Sequence, residues 1–454
     1  MINSLTKHRF VALRFELFLA IAAVACYGWA ADAAEEDLKS AATAFVELLA
    51  TAQYEKATEN FDATMTRVFP VDKVAETWAA VVGAAGAFRG RGGTRSEKIG
   101  VYRAVFVTCR FEKADLEAKV VFDRQQKIAG LFFAQPRPEV TYKPPAYTDR
   151  AKFHEIQVTI GAEPWRLPGT LTIPEGTGSF STVILVHGSG PNDRDETIFS
   201  NKPFKDLAWG LASQGIAVLR YDKRTYVHPE KLAQITALTV KEEVLDDVFA
   251  ALAFLKQQSH VDSRHIYVAG HSLGGYLVPR ISARDQAGAI AGFVVLAGST
   301  RPTEDLVLEQ TNYIASLDGS VSDQEKEQLD QIEQLVKQIK DTEVLSRSSG
   351  PILGAPAAYW LDLHHYRPPQ IAAQTKHPML ILQGERDYQV TMEDFAGWQQ
   401  GLAPRANIRF KTYPNLNHLF VAGEGRSTPS EYELGGNVAK QVIDDIAGWI
   451  GERP

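Results

Sequence analysis

Between about residue 150 and the C-terminus, short apolar runs alternate with longer helical stretches. Strands apolar throughout, separated by helices, are typical of a parallel sheet covered on both faces. The predicted parallel strands are Val183–Val186, Ile216–Tyr221, His265–Gly270, Phe293–Ala297 and Met379–Leu382, and the predicted helices between them include Phe204–Ser213 and Val240–Lys256. Two antiparallel strands, Glu155–Ile160 and Leu167–Ile173, are expected at the start of the sheet. The pattern therefore predicts an α/β domain.

One pentapeptide in this region has the form G-x-S-x-G. Gly270-His271-Ser272-Leu273-Gly274 follows the strand-like Ile266–Ala269 and precedes a helical stretch. On a strand-turn-helix connection, the serine side chain projects above the sheet, and the two glycines let neighbouring backbone pack closely. The motif predicts Ser272 as a nucleophile, and the alternative is a tight turn of small residues.

A serine hydroxyl needs a base to take its proton, so a histidine is expected near Ser272. His418 lies after the strand-like Ile408–Tyr413 and before the last predicted helix, Val438–Ile450. We predict His418 as this base. His187 and His271 flank the predicted site, and we expect structural roles for them.

A carboxylate must hold the imidazole in the right tautomer and balance its charge when it is protonated. Asp387 follows a predicted strand and is our choice; Glu385 is the main rival, and Asp394 is disfavoured because it already lies in the next helix. The chain order Ser272, Asp387, His418 is that of α/β-hydrolases.

The oxyanion formed on attack needs preorganised N–H donors. One donor is predicted to be the backbone N–H of Leu273. The other is expected in the glycine-rich loop after the first parallel strand, where Ser189 is our choice and Gly188 the alternative. The charged residues Asp193–Asp195 and Asp222–Arg224 either contact substrate or pair with one another to shape this region.

Residues 301–376 interrupt the strand-helix alternation. They contain a charged helical run, Ser322–Asp341, and the aromatic segment Tyr359–Tyr366. We interpret this insertion as a cap over the site, and a surface insertion without substrate contact is the alternative. A metal pair at His364 and His365 would need further ligands nearby, so neither metal nor organic cofactor is predicted.

The N-terminal region predicts a small α+β unit. Residues 35 to 90 have helical periodicity, and the run Gly90–Gly93 is expected to end it. Three antiparallel strands are predicted afterwards, at Val101–Phe111, Leu116–Phe122 and Lys127–Phe133. A proline-rich stretch then predicts a linker.

The first residues have the order basic, apolar, small, which is typical of a secretory signal. The apolar run Leu17–Cys26 is shorter than the roughly 20 residues of a membrane span, and Ala31-Asp32-Ala33 offers a cleavage site. An exported, periplasmic or secreted protein is therefore predicted. An uncleaved helix and a lipid anchor at Cys26 are the alternatives. The predicted organisation is signal peptide 1–33, small domain 34–135, linker 136–150 and α/β domain 151–454, with the cap at about 301–376.

The net charge and the cysteine content bear on the expected partners and cross-links. The net charge of −7 gives no reason to expect binding to nucleic acid or to an anionic membrane. After removal of the signal, Cys109 would be the one remaining cysteine, so no internal disulfide is predicted.

Several segments together resemble a family, the two-domain bacterial esterases of the EstD type. They are His187–Glu196, Arg220–Arg224, Gly270–Gly275, Tyr359–Asp362, Gly384–Val390 and Asn417–Leu419. The N-terminal unit is similar to the nuclear transport factor 2 type of α+β cone. Thr225 departs from the family, which usually has a glycine there.

The resemblance implies a carboxylesterase that favours short acyl chains, and it assigns the triad to Ser272, Asp387 and His418. A small-molecule acyl ester is then the expected partner. A thioesterase, acyltransferase or peptidase on the same triad is the first alternative. A non-catalytic binding protein acting through the N-terminal domain, or an envelope-associated structural role, is the alternative from another class.

Overall fold

The computed structural model describes residues 33–99, 102–136, 140–403 and 405–452, which divide into two compact units, one up to residue 136 and one from residue 140. Residues 1–32 of the predicted signal segment, which include Cys26, lie outside the described residues. No helix within these ranges is long and apolar enough to cross a bilayer.

The N-terminal unit packs helices on an antiparallel sheet of order β1-β2-β3-β4. Its helices are α1 Ala33–Ala50, α2 Tyr54–Thr58, α3 Ala63–Val68 and α4 Val71–Ala85. Its strands are β1 Phe88–Ile99, β2 Tyr102–Phe111, β3 Asp115–Phe122 and β4 Ile128–Ala134. Trp78 of α4 is buried against Phe88, Phe111 and Phe133, with ring centroids 5.7–5.8 Å apart.

The sheet of this unit has one strand more than the sequence predicts. The run Gly90–Gly93, expected to be a break, lies inside β1. The pairing of β1 with β2 slips between Phe88 and Gly90 and between Arg91 and Thr94, and Gly90 has a φ of 141°. Glycines let the strand bulge at these points and continue, so the prediction of three strands was wrong.

The second unit is built on an eight-stranded sheet of order β12-β11-β10-β9-β7-β8-β6-β5. Its strands are β5 Phe153–Ile160, β6 Leu167–Pro174, β7 Phe180–Val186, β8 Ala217–Tyr221, β9 Val261–His271, β10 Gly292–Leu296, β11 Met379–Gly384 and β12 Ile408–Tyr413. β6 runs antiparallel to β5 and β8, and the six strands β7 to β12 are parallel to one another. The predicted α/β-hydrolase class with a separate small α+β unit is confirmed.

Helices cover both faces of this sheet. They are α5 Pro203–Ala212, α6 Arg224–Val227, α7 Pro229–Ala233, α8 Asp246–Leu255, α9 Leu273–Arg284, α10 Thr303–Ala315, α11 Asp323–Lys340, α12 Thr342–Ser346, α13 Ala357–Leu363, α14 Pro368–Gln374, α15 Met392–Leu402 and α16 Lys440–Gly451. Short 3-10 turns lie at Arg150–Lys152 and Pro429–Leu434. Along β7, Val183 and Leu185 join the apolar cluster that contains α5 and α16, while Ile184 and Val186 join the cluster on the opposite face.

The helix predicted at Val240–Lys256 is interrupted. Residues Lys241–Leu245 form a π-turn, and a regular helix begins only at Asp246. The wider turn places the carboxylate of Glu243 2.6 Å from Lys223 Nζ, a contact between distant segments that helical periodicity does not reveal.

The insertion between β10 and β11 contributes to the main core. Five helices, α10 to α14, occupy the predicted cap region. Ile332, Val336, Trp360 and Tyr366 from this insertion are buried in the same apolar cluster as the sheet residues of one face. The insertion is therefore packed into the domain.

The second half of the predicted linker, 136–150, is bound to the second unit by hydrogen bonds. The Tyr142 hydroxyl donates to Asp206 Oδ1 at 2.8 Å, and the Tyr147 hydroxyl donates to the carbonyl of Val438 at 2.7 Å. The two tyrosines therefore hold this part of the segment on the second unit. The boundaries of the linker stay a prediction.

Candidate active site

Ser272 occupies a strained turn between β9 and α9. Its φ of 52° and ψ of −114° lie outside the regions that non-glycine residues usually adopt. A Cβ on Gly270 would lie 2.3 Å from the carbonyl oxygen of Gly274, and a Cβ on Gly274 would lie 2.3 Å from that of Val186. The turn can therefore form only with glycine on both sides of the serine, and Ser272 remains half-exposed.

Asp387 and His418 meet at the ends of neighbouring strands. Asp387 follows β11 and His418 follows β12, and Asp387 Oδ2 lies 2.6 Å from His418 Nδ1. Both side chains are buried. The backbone N–H groups of Gln389 and Val390 donate to Asp387 Oδ1 at 2.7 and 3.0 Å, which fixes the carboxylate. A carboxylate on Nδ1 leaves His418 Nε2 to act as the base.

Ser272 and His418 are brought to the same edge of the sheet. The ring of His271, next to Ser272 in the chain, has its centroid 4.7 Å from that of His418. Within the described part of the chain, no hydrogen bond joins Ser272 Oγ to His418. Such bonds often tighten only when substrate is present. The joint action of Ser272, Asp387 and His418 stays a prediction.

The two rival carboxylates are engaged elsewhere. Glu385 accepts a hydrogen bond from Thr412 Oγ1 at 2.6 Å. Asp394 is fully buried in α15 and accepts from the backbone N–H of Thr300 at 2.8 Å, while it also pairs with Arg301. Of the three candidates, Asp387 is the one in contact with His418.

The loop after β7 lies directly against Ser272. A Cβ on Gly188 would be 3.1 Å from Ser272 Cβ. The N–H of Gly188 already donates to Glu196 Oε1 at 2.6 Å. The N–H groups of Ser189 and Leu273 have no acceptor among the described residues. This arrangement favours Ser189 and Leu273 over Gly188 as the oxyanion donors.

Glu196 and His271 are site residues whose contacts the sequence did not reveal. Glu196 is buried with a φ of 52°, and its Oε2 forms an ion pair with His271 Nδ1 at 2.8 Å. His271 Nε2 lies 3.0 Å from the carbonyl oxygen of His418. Burial alone would lower the pKa of His271, but the Glu196 carboxylate outweighs it, so the pKa lies above its ordinary value. The pair links the loop after β7 to the backbone of His418.

The charged residues beside this loop pair with one another. Arg194 forms a bidentate salt bridge with Asp222, and Asp195 forms an ion pair with Arg220. Asp193 accepts from the backbone and hydroxyl of Thr197. Of the two interpretations weighed for these residues, the contacts therefore favour the shaping of the loop.

Thr225 and the pair His364 and His365, also singled out from the sequence, contact neighbouring residues. Thr225, which stands where the family usually has glycine, donates to the carbonyl of Gly190 at 3.1 Å. His364 and His365 contact each other, with ring centroids 4.0 Å apart. Among the described residues, no group of histidine, cysteine and carboxylate side chains could hold a metal ion.

Comparison with known proteins decides the family. Esterase EstD of Thermotoga maritima is 40% identical over 407 residues, which cover 89% of this chain and 93% of that protein. The chain belongs to the EstD-type esterase family. Residues 181–424 also match the family described as serine aminopeptidase, S33, and residues 42–131 match a family described as a protein of unknown function. The resemblance inferred from the sequence motifs is confirmed.

More distant similarities extend beyond the EstD-type family. Chloroplastic chlorophyllase-1 of Citrus sinensis is 26% identical over 137 residues, or 30% of this chain and 39% of that protein. Among solved structures, Est1E of Butyrivibrio proteoclasticus has a TM-score of 0.42 at 19% identity, covering 65% of this chain and 98% of Est1E. The Pyrococcus furiosus esterase PF2001 has a TM-score of 0.43 at 17% identity, covering 70% and 99% of the two chains.

His187, the first residue of the loop after β7, makes the stability of the folded protein depend on pH. Its side chain is buried with Nε2 3.0 Å from the carbonyl oxygen of Asp193, and burial lowers its pKa to about 4. Between pH 6.5 and 4, His187 binds a proton in the unfolded chain but stays neutral in the folded chain. Stability is therefore lost as pH falls through this window, by about 2–3 kcal/mol.

We expect the loss of unfolding free energy between pH 7 and pH 4.5 to be smaller in His187→Asn than in the unsubstituted protein. Urea denaturation at the two pH values measures it. His260→Asn, at an exposed histidine, is the control and should leave the loss unchanged. An equal loss in all three proteins would contradict the role of His187.

Proposed function

We propose that the protein is a serine carboxylesterase that hydrolyses short-chain acyl esters through an acyl-enzyme. Ser272 attacks the ester carbonyl while His418 takes its proton, and the N–H groups of Ser189 and Leu273 bind the oxyanion. His418 then protonates the leaving alcohol. Water, activated by the same histidine, hydrolyses the acyl-enzyme and releases the acid.

The observation that carries this proposal is the buried contact of 2.6 Å between Asp387 and His418, on the same edge of the sheet as the strained Ser272 turn. A buried carboxylate fixes the imidazole tautomer and stabilises the imidazolium that forms when Ser272 is deprotonated. Membership in the EstD-type family supports an ester as the substrate.

A peptidase on the same triad is a second candidate, because residues 181–424 match a family described as serine aminopeptidase. Aminoacyl p-nitroanilides, thioesters and esters of matched acyl groups separate the classes by their kcat/KM values. The non-catalytic alternative requires that the protein hydrolyse none of these three classes of substrate.

Removal of the nucleophile is the first prediction for this function. We expect the protein to hydrolyse p-nitrophenyl acetate and butyrate faster than octanoate, and Ser272→Ala to lower kcat by at least about 10⁴-fold, because the acyl-enzyme cannot form. Release of p-nitrophenol measures the rates. Activity that survives in the variant would refute Ser272 as the nucleophile.

The role of Asp387 gives a second prediction with a matched control two residues away. Asp387→Asn should lower kcat by about 10³- to 10⁴-fold, since an amide holds the wrong tautomer of His418. Glu385→Gln should change kcat by less than about threefold, because Glu385 contacts Thr412 and not His418. The reverse ranking would transfer the role to Glu385.

Export is proposed from the order of residues in the N-terminal segment. Leu17–Cys26 is the apolar core of the signal, and Ala31-Asp32-Ala33 precedes the cleavage site. We expect the mature protein in the periplasm or medium to begin at Ala34. Intact-mass measurement of the purified protein tests this; a chain that retains residue 1, or one acylated at Cys26, would contradict it.

A further inference from the structure

Lys223 is a buried cation that the proposed reaction does not use. Its side chain is 3% exposed and lies just after β8. Nζ donates to the carbonyl oxygen of Gly188 at 2.8 Å and to Glu243 Oε1 at 2.6 Å. A buried ammonium ion is costly, so its position on this one carbonyl calls for a physical explanation.

The carbonyl of Gly188 and the N–H of Ser189 belong to the same peptide group. In a trans peptide the C=O and N–H bonds point in opposite directions. An ammonium ion at the oxygen end therefore leaves the N–H end directed away from it. Gly188 already packs against Ser272, so this peptide lies beside the atoms that react.

A charged donor on a carbonyl polarises the whole peptide. Electron density shifts from nitrogen toward the oxygen, so the N–H becomes a stronger donor, and hydrogen bonds in such a chain reinforce one another. The effect is largest when negative charge develops opposite the N–H, which happens in the transition state and not in the bound ester.

We propose that Lys223 is a positioning residue for the oxyanion hole, which orients and polarises the Gly188–Ser189 peptide so that the Ser189 N–H binds the oxyanion more strongly. The inference rests on the esterase function proposed above. It extends the site to a residue that touches neither the substrate nor the triad.

Glu243 and Tyr359 complete the arrangement. Glu243 lies on the π-helical turn and balances the charge of Lys223. Burial, together with the nearby Glu243 carboxylate, raises the pKa of Tyr359 in helix α13. Asn192 Nδ2 also donates to the Gly188 carbonyl, at 3.2 Å. The peptide is thereby held at its oxygen by two donors, while Glu196 holds the preceding N–H.

The chain offers a matched control in the next residue. Arg224 forms a buried ion pair with Asp247 but has no hydrogen bond to the oxyanion loop among the described residues. The paired variants K223M/E243Q and R224M/D247N each remove one buried positive and one buried negative charge. Neither leaves an unpaired ion of the original pair in the interior, so the comparison separates loss of the contact with Gly188 from the general effect of losing a buried ion pair.

We expect K223M/E243Q to lower kcat by about tenfold with KM nearly unchanged, a part of the roughly 10²–10³-fold loss when an oxyanion donor is removed. Binding of an alkyl trifluoromethyl ketone, whose adduct on Ser272 carries an oxyanion, should weaken by the same factor. R224M/D247N should leave both quantities within about twofold. A purely structural role would lower melting temperature in both variants without this parallel loss.

A second paired variant keeps the test decisive if K223M/E243Q does not fold. K223Q/E243Q keeps neutral hydrogen-bonding groups at both positions, and we expect a loss of about threefold to tenfold in kcat and in ketone affinity. Equal values for this variant, the control and the unsubstituted protein would overturn the inference. An unsubstituted protein without Ser272-dependent ester hydrolysis would instead overturn the proposed function.

Discussion

The geometry of the site depends on backbone packing directly against backbone at the Ser272 turn. Gly270 and Gly274 leave no room for a side chain, so the end of β9, the start of α9 and the end of β7 are held at fixed separations. This packing brings the loop after β7 against Ser272. Because the parallel strands end at one edge of the sheet, the loops that carry Asp387 and His418 arrive there as well.

The loop from 187 to 196 is held mainly by buried charges. It has no regular secondary structure, so its backbone groups need partners from side chains. Glu196 supplies one for Gly188, and Lys223 supplies another. Ionic contacts have a defined direction that apolar packing lacks, and a loop that must aim N–H groups gains from this. The cost of burying these ions is offset because each has its counter-ion nearby.

The sequence was sufficient for the sheet and for the contact between Asp387 and His418 at the ends of neighbouring strands; the roles of Ser272 and of the oxyanion donors stay predictions. These features have local signals in the sequence. The strands are apolar runs, and Ser272, Asp387 and His418 each follow the end of a strand. What it could not provide were long-range contacts. Glu196 pairs with His271, 75 residues further along the chain, and Lys223 pairs with Glu243, 20 residues further. Hydrophobic periodicity does not encode such contacts.

Errors in the predicted secondary structure have a similar origin. The glycines of β1 were taken as a break, because a bulged strand and a loop have the same local composition and only the pairing partner separates them. The π-turn before α8 has ordinary helical periodicity, and its extra residue serves a tertiary contact. In both places the neighbouring segment decides the conformation.

The insertion between β10 and β11 shares the main apolar core, and Asp394 ties its first residues to α15. Such a segment is not a removable module. Exchanging it for the corresponding segment of a relative would remove side chains from that core. Such chimaeras would lose stability, and any change in their activity would be confounded with that loss.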